Sequence, residues 1–323
     1  MIKVENLTRS YGDFKAVDGV SFEIQRGEVV GLLGHNGAGK TTIMKVLTGF
    51  LEPSAGRITV EGYDLAEKRR EVQHLIGYLP ENCPVYPDMT VIDFLEYHAG
   101  MHGLPHDRRL AAVRHAIART ELEPKATHLI GTLSRGYRQR VGVAQAILHT
   151  PRVLILDEPT NGLDPTQIQH MRSLIRELAK EALVLLSTHL LHEVEATCDR
   201  VLILRNGKLA LDARLAELNT TQHLMIEVDA APEKAQALLK GIHGIRALRS
   251  VPGTVDGRYQ YAMETADPLA AAPLVAQILL EGGQKLYRLQ PEERDLETIF
   301  GEINDPVALA AHNNRPTQDA GHA

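Results

Sequence analysis

The run GHNGAGKTT, residues 34–42, constrains the fold of this chain more than any other stretch of it. It satisfies G-x-x-x-x-G-K-[ST], the P-loop that holds nucleotide phosphates. Residues 28–33 before it form a β-rich apolar run, and apolar side chains at helical spacing follow Lys40. Since a P-loop requires this order of strand, glycine loop and helix, the sequence predicts an α/β fold that binds a nucleotide.

Each residue type in the loop suits a bound anion. Glycine has no Cβ, so Gly34, Gly37 and Gly39 can adopt a positive φ and turn successive N–H groups towards one centre. The following helix adds its positive N-terminal end, Lys40 can reach the β and γ phosphates, and the hydroxyl of Thr41 can take a place on Mg²⁺. The alternative is a glycine-rich turn that packs tightly and binds nothing. The residues predicted to bind nucleotide are Gly34, His35, Asn36, Gly37, Ala38, Gly39, Lys40, Thr41 and Thr42.

Length and charge narrow the class of protein. A chain of 323 residues with 44% hydrophobic residues is long enough for two domains with their own cores. The net charge of −6 provides no basic field, so nucleic acid is not expected as the main partner. There is no apolar run of about 18 residues or more and no N-terminal leader, which predicts a cytosolic chain. Cys83 and Cys198 are far apart in sequence and are expected to be free thiols.

The pattern along the first two thirds of the chain predicts a β layer, a helical insert and a parallel core. Short strand patterns at residues 2–7, 17–24 and 56–62 indicate an antiparallel β layer beside the P-loop core. A helical insert, or subdomain, is expected over about residues 86–150. After the insert, Asn206-Gly207 is the strongest short signal for a β-hairpin. Helices are predicted at residues 90–101, 107–122 and 134–149, and core strands at 152–157 and 182–187.

A second domain is predicted after about residue 218. Residues 222–303 show the order βαββαβ, which matches the ferredoxin-like split unit, with a last short helix at residues 292–303. Polar residues without periodicity follow, so a disordered tail is expected at 304–323. The predicted organisation is therefore a P-loop α/β domain at 1–218, a small α+β domain and the tail.

Two acidic residues end the strand predicted at 152–157. Asp157 would hold Mg²⁺, directly or through water, and Glu158 is the natural general base for the attacking water. The alternative role for this pair is to cap the helix that begins after Pro165. Together with Lys40, the pair indicates a P-loop nucleoside triphosphatase.

Five further motifs resemble those of the ATP-binding cassette (ABC) ATPases, in the order of that family and over roughly residues 1–215. They are Tyr11 at the adenine-stacking position, Glu81 where the Q-loop glutamine usually stands, LSRGYRQ (133–139) in place of the LSGGQ signature, PTNGLD (159–164) as the D-loop, and His189 as the switch histidine. The resemblance implies an ABC cassette fold with a RecA-like core, an antiparallel β layer and a helical subdomain. It also implies ATP and Mg²⁺ as cofactors.

The resemblance further implies an ATP site shared between two chains. Ser134 is a good N-cap, and the helix that it begins would present free N–H groups and a positive end to phosphate. In the family this end meets the γ-phosphate bound by a second subunit, which implies a homodimer around two ATP, with Ser134, Gly136 and Asp164 among the nucleotide contacts. Arg135 and Tyr137 depart from the usual signature.

Three single residues keep an alternative interpretation. His189 is expected to sense the γ-phosphate and to be catalytic, although a lone histidine at a strand end is more often a satisfied core residue. Tyr11 could equally be a turn residue before Gly12. Glu81 replaces the neutral amide of a glutamine by a carboxylate, which is a harder Mg²⁺ ligand but could also repel the γ-phosphate. Two roles are therefore open for Glu81: a catalytic and metal-binding residue, or a surface residue after a strand.

These features together predict the ATP-binding and ATP-hydrolysing subunit of a transporter. It would dimerise around ATP on the cytoplasmic face of the cell membrane and drive a separate permease. The motif sequences, including ERDLETIF at residues 293–300, are similar to exporter-type cassettes that pair with ABC-2-like permeases, near the gliding-motility-associated and multidrug types. The alternative is a soluble ABC ATPase in translation or DNA repair, and residues 222–303 are expected to have a regulatory or dimer-stabilising role.

Overall fold

The computed structural model describes residues 1–218, 223–239, 245–255, 257–292 and 296–304. The described residues form two compact units, which are treated separately below. The first unit comprises residues 1–215 and 300–304, and the second comprises the described residues between 216 and 299. The tail expected at 304–323 lies, apart from its first residue, outside the described residues.

An antiparallel sheet forms one layer of the first unit, as predicted. Its strands are β1 (Ile2–Tyr11), β2 (Phe14–Ile24), β4 (Ala55–Val60) and β5 (Tyr63–Asp64), in the order β2-β1-β4-β5. Strand β1 runs further than the predicted 2–7. Its pairing with β2 contains register shifts after Val4, Leu7 and Arg9, and these irregularities break the period-two alternation by which a strand is recognised from sequence.

The second sheet carries the P-loop. It has six strands in the order β10-β9-β3-β8-β7-β6. They are β3 (Val29–Leu33), β6 (Ile76–Leu79), β7 (Val153–Asp157), β8 (Leu183–Thr188), β9 (Arg200–Arg205) and β10 (Lys208–Arg214). Strands β3, β7 and β8 are buried at every position and pair in parallel, which explains their continuous apolar sequences. Because β3, β6, β7, β8 and β9 run parallel, the loops after them open at one edge.

Helices surround this sheet and form the insert. They are α1 (Lys40–Leu47), α2 (Arg69–Leu75), α3 (Val91–Met101), α4 (His106–Arg119), α5 (Arg135–Ile147), α6 (Pro165–Leu178), α7 (Leu191–Thr197) and α8 (Leu215–Leu218). Short 3₁₀ turns occur at Glu123–Lys125 and Ile130–Thr132. Helix α4 ends before the predicted residue 122, because Glu121 takes a left-handed φ of 54°. The hairpin between β9 and β10 turns at Asn206 and Gly207, both with positive φ, as Asn-Gly predicts.

One hydrophobic core joins the antiparallel layer, helix α1 and the central sheet. It includes Leu7 of β1, Leu32 of β3, Ile43 of α1 and Ile155 of β7, all fully buried. Helix α1 is thereby packed from both sides. The start of α1, which is the end of the P-loop, is held in place by this packing.

The second unit has the predicted βαββαβ order. Its elements are β11 (His223–Val228), α9 (Pro232–Leu239), β12 (Ile245–Val255), β13 (Arg258–Thr265), α10 (Pro268–Glu281) and β14 (Leu286–Pro291). The strands form an antiparallel sheet in the order β12-β13-β11-β14. Alternate residues of β11, namely Leu224, Ile226 and Val228, pack with Val275 and Leu279 of α10. A last helix, α11, spans Leu296–Asn304, and its predicted start at 292–295 falls largely outside the described residues.

Candidate functional site

A cleft of about 380 Å³ lies at the carboxyl edge of the parallel strands. This volume is within the range of small-molecule sites, and such edges are where α/β sheets bind ligands. Four of the parallel strands lead into the lining: the P-loop follows β3, Glu81 follows β6, Glu158 follows β7 and His189 follows β8. The lining residues are Tyr11, Phe14, Ala16, His35, Asn36, Gly37, Gly39, Lys40, Thr41, Thr42, Glu81, Glu158, Asn161 and His189.

The P-loop has the backbone shape that its glycines allow. Gly37 and Gly39 adopt φ values of 83° and 109°, which L side chains rarely reach. The predicted positive φ at Gly34 is wrong. A Cβ on Gly34 would lie 2.7 Å from the carbonyl oxygen of Leu204 in β9, so this glycine is needed for close approach of two backbones. Gly34 and Ala38 are buried beneath the cleft surface and do not line it.

Lys40 is held inside the loop and is 6% exposed. Its Nζ donates hydrogen bonds to the carbonyl oxygens of Gly34, at 2.6 Å, and His35, at 3.3 Å. Burial lowers the pKa of Lys40, and the negative charges of Glu158, Asp157 and Glu81 oppose that shift. The ammonium group of Lys40, held by carbonyl oxygens inside the P-loop, is well placed to receive phosphate oxygens.

Asp157 presents an unpartnered carboxylate oxygen. The residue is 1% exposed, and its Oδ1 accepts a hydrogen bond from the Oγ of Ser187 on the neighbouring strand β8. Its Oδ2 is buried and has no hydrogen-bond partner among the described residues. A buried carboxylate oxygen without a donor is costly unless a cation or water meets it. The pair of Asp157 and the Thr41 hydroxyl, which lines the cleft, therefore suits Mg²⁺, a hard cation that prefers oxygen ligands.

Glu158 and His189 form a hydrogen-bonded pair in the cleft. Both carboxylate oxygens of Glu158 lie close to Nδ1 of His189, at 3.1 and 3.0 Å. Burial raises the pKa of Glu158, while the bond to His189 opposes the rise. A raised pKa suits a general base, because it increases the affinity of the carboxylate for a proton. The side chain of His189 is 43% exposed, so the alternative of a satisfied core histidine does not apply.

The predicted contact residues of the signature and D-loop, Ser134, Gly136 and Asp164, cap or pack against helices of the same chain. Ser134 is the N-cap of α5, as predicted, and its side chain accepts from the N–H of Tyr137 at 3.4 Å. Gly136 is buried, and a Cβ there would lie 2.4 Å from Oε1 of Gln167. Asp164 caps α6 by accepting from the N–H of Gln167 at 2.9 Å. The helix after Pro165 is thus capped by Asp164 and not by the acidic pair at 157–158. None of Ser134, Gly136 and Asp164 lines the cleft.

Four residues at the site were not predicted from the sequence: Phe14, Ala16, Asn161 and Ser187. Phe14 pairs with Tyr11 across the turn between β1 and β2, and both rings are largely exposed beside the cleft, at 64% and 47%. Tyr11 is therefore a turn residue and also a residue of the cleft. An aromatic residue directly after a Gly-Asp turn is the available sequence signal for Phe14. Asn161 belongs to the PTNGLD motif, whereas nothing in the local sequence marks Ala16 and Ser187, which reach the site through tertiary contacts.

The fold and the cleft define a P-loop nucleoside triphosphatase. Comparison with known proteins then identifies the family. The model of the ABC transporter family matches residues 17–161. The uncharacterized ABC transporter ATP-binding protein YxlF of Bacillus subtilis is 39% identical over 303 residues, which cover 94% of this chain and 99% of that protein. The bacitracin transport ATP-binding protein BcrA of Bacillus licheniformis is 35% identical over 75% of this chain and 79% of its own length.

Solved structures agree with this assignment. The structure of an ATP-binding subunit of an ABC transporter is 32% identical, covers 68% of this chain and 92% of its own, and superposes with a TM-score of 0.62. The dimeric structure of the bacterial ABC transporter cassette MJ0796 shares the fold, with 24% identity over 67% of this chain and 99% of its own and a TM-score of 0.61. The chain belongs to the ABC transporter family: it is an ATP-binding subunit and an ATPase. No helix among the described residues has the length and apolar character needed to cross a bilayer.

Proposed function

We propose that this chain works as a homodimer that hydrolyses two shared ATP molecules and drives a separate membrane permease, as part of an exporter. One observation carries the proposal. The cleft of a single chain contains the P-loop, Glu158 and His189, but Ser134, Gly136 and Asp164 do not line it. A second copy in a head-to-tail arrangement would supply these groups, and two-fold symmetry would complete both sites at once.

Each group in the cleft has a role consistent with its environment. Lys40 and the P-loop N–H groups bind the β and γ phosphates, and Thr41 with Asp157 holds Mg²⁺. Bound Mg²⁺ neutralises charge on the phosphates. Glu158 accepts the proton of the attacking water, and His189, within hydrogen-bond distance of that carboxylate, holds it in position and contacts the γ-phosphate.

The exposed rings and Glu81 complete the proposed site. Tyr11 and Phe14, side by side at the rim, provide an aromatic surface for the adenine base. Glu81 faces the same cleft, and its charge acts on Lys40. We assign it to the hydration shell of Mg²⁺, where a carboxylate is a stronger ligand than the amide usual at this position. Glu81→Gln should then retain ATPase activity with a higher requirement for Mg²⁺.

The relatives support export through a partner in the membrane. BcrA is named for bacitracin transport, and a relative that is 33% identical over 65% of this chain and 68% of its own length is the linearmycin resistance ATP-binding protein LnrL of Bacillus subtilis. We therefore place the chain at the cytoplasmic face of the membrane, bound to an integral permease. Translation and DNA repair are not favoured by these relatives. Affinity-tagged chain should co-purify with a protein of several membrane spans, and recovery with ribosomes or DNA instead would contradict the proposal.

The test of the shared site is nucleotide-dependent dimerisation. Glu158→Gln removes the base but keeps the shape and the hydrogen-bonding capacity of the side chain, so ATP should bind and persist. With ATP and Mg²⁺ the variant should elute at twice the monomer mass in light-scattering chromatography. Lys40→Ala, which lacks the phosphate-binding ammonium, is the matched control and should remain monomeric. A monomeric Glu158→Gln protein at saturating ATP would contradict the shared site.

Complementation provides a second, independent test. Lys40→Ala disables the P-loop and Ser134→Arg disables the signature, so each variant alone should be inactive. In a mixed dimer one site combines the intact P-loop of one chain with the intact signature of the other. Equal mixing should therefore restore up to about a quarter of the wild-type sites, since half of the dimers are mixed and each has one intact site. No recovery after verified subunit exchange would show that the two motifs do not share a site.

A further inference from the structure

The end of helix α11 contacts the P-loop from outside the cleft. The ring of Phe300 lies against that of His35, with centroids 4.9 Å apart and planes tilted by 50°. Both residues belong to the first unit. His35 lines the cleft, whereas Phe300 does not, so Phe300 meets the nucleotide-binding surface through its direct contact with His35. Phe300 is also the last residue of ERDLETIF, a motif to which the ATPase site itself assigns no role.

A second set of contacts holds the same helix end. The guanidinium of Arg205 donates a hydrogen bond to the carbonyl oxygen of Ile303, in the last turn of α11. Arg205 lies at the tip of the β9–β10 hairpin, where the N–H of Gly207 donates to the carbonyl oxygen of Ala38 at 3.1 Å. Helix end, hairpin and P-loop are thus connected by successive direct contacts. The position of Phe300 is fixed relative to the loop by more than one interaction.

His35 is also a hydrogen-bonding centre of the loop itself. Its carbonyl oxygen accepts from the N–H of Ala38 at 3.0 Å and from Nζ of Lys40 at 3.3 Å. The side chain of His35 is otherwise exposed, so without a neighbour its ring would be free to adopt other rotamers. Contact with Phe300 restricts that freedom at the residue whose carbonyl oxygen accepts these two loop hydrogen bonds.

We propose that Phe300 is a positioning residue for ATP binding: its ring packs on His35 and keeps the P-loop in the shape that receives the phosphates. The inference rests on the ATP site described above. It adds a residue from the far C-terminal helix to that site, more than 200 residues from the P-loop in sequence. Because a preorganised loop does not have to be ordered when ATP binds, loss of the contact should weaken binding more than turnover.

The test separates binding from chemistry. Phe300→Ala should weaken ATP binding, measured by calorimetry, and raise the KM for ATP by about fivefold, the range expected for one aromatic pair, with kcat close to that of wild type. Phe300→Tyr keeps the ring and should restore wild-type affinity. Phe300→Leu keeps an apolar side chain and helix propensity but not the ring, and should bind ATP as weakly as Phe300→Ala. Glu297→Ala, at an exposed position of the same helix, is the matched control and should bind ATP normally.

A double-mutant cycle with His35 tests the route of the effect. If Phe300 acts through His35, then adding Phe300→Ala to His35→Ala should cause no further loss of affinity. Wild-type affinity in Phe300→Leu, or additive losses in the double mutant, would overturn the inference. The effect of Phe300 is a difference in ATP affinity between variants, so a failure of Glu158→Gln to dimerise would contradict the shared-site proposal without affecting this result.

Discussion

Ser187 carries a prediction that the parallel register makes possible. It is fully buried and lies opposite Asp157 in the pairing of β7 with β8. Its Oγ donates to Oδ1 of Asp157 and accepts from the N–H of Glu158 at 3.2 Å. Ser187→Ala removes this hydroxyl and adds no bulk. The carboxylate of Asp157 would then lose its one hydrogen-bond donor in the described part of the chain while remaining buried.

The expected loss of stability follows from the two hydrogen bonds of the Ser187 hydroxyl. The N–H of Glu158 keeps a partner, since it also donates to the main-chain carbonyl oxygen of Ser187 at 3.2 Å. The bond to the carboxylate is the main loss, and a hydrogen bond to a charged buried group contributes about 2 kcal/mol to the free energy of unfolding. For a unit of this size that corresponds to a fall of about 4–8 °C in the unfolding temperature. A second effect is expected at the site, because an Asp157 side chain without its donor can rotate and should bind Mg²⁺ less well.

Calorimetric unfolding, with the endotherm of the larger unit as the readout, checks the stability effect. Ser173→Ala is the matched control. Ser173 is exposed on α6 and its hydroxyl donates to the carbonyl oxygen of Gln169, so its loss should change the free energy of unfolding by less than about 0.5 kcal/mol. The Mg²⁺ dependence of ATPase activity checks the second effect. If the unfolding temperature of Ser187→Ala is no lower than that of Ser173→Ala, the argued contribution of the buried hydrogen bond is wrong.

Three further predictions concern the cleft. Gly39→Ala should abolish ATP binding in calorimetry, because a Cβ would lie 2.6 Å from the carbonyl oxygen of Ala16 and φ is 109°; retained affinity would show that the loop can relax. Burial raises the pKa of Glu158, and this carboxylate must be ionised to act as a base. As the pH is lowered, ATPase activity should therefore begin to fall at a pH above the ordinary pKa range of glutamate. A loss of activity only at a pH below that range would contradict the raised pKa. Tyr11→Ala should raise the KM for ATP several-fold and Tyr11→Phe should not, since only the ring is needed to stack on a base; equal effects would exclude stacking.

Much of the fold could be predicted because its signals are local. The buried runs of β3, β7 and β8 indicate parallel strands, and Asn206-Gly207 fixes a hairpin through the φ values that it allows. Ser134 was identified as an N-cap from its position before a helical pattern. Errors occurred where the local pattern was broken, as in β1, whose register shifts interrupt its alternation. The four-residue strand β6 was too short to be predicted from its pattern.

The candidate site likewise has a part that the sequence predicts and a part that only the tertiary structure shows. The sequence alone determined that the chain binds a nucleotide, since the P-loop and the acidic pair at 157–158 are each recognised from a few consecutive residues. Only the tertiary structure decided which strand ends meet at one edge. It brought Ser187 to Asp157, Leu204 to Gly34 and Phe300 to His35. These contacts join residues that are far apart in the chain, and their geometry depends on sheet order, register and packing, which no local spacing encodes.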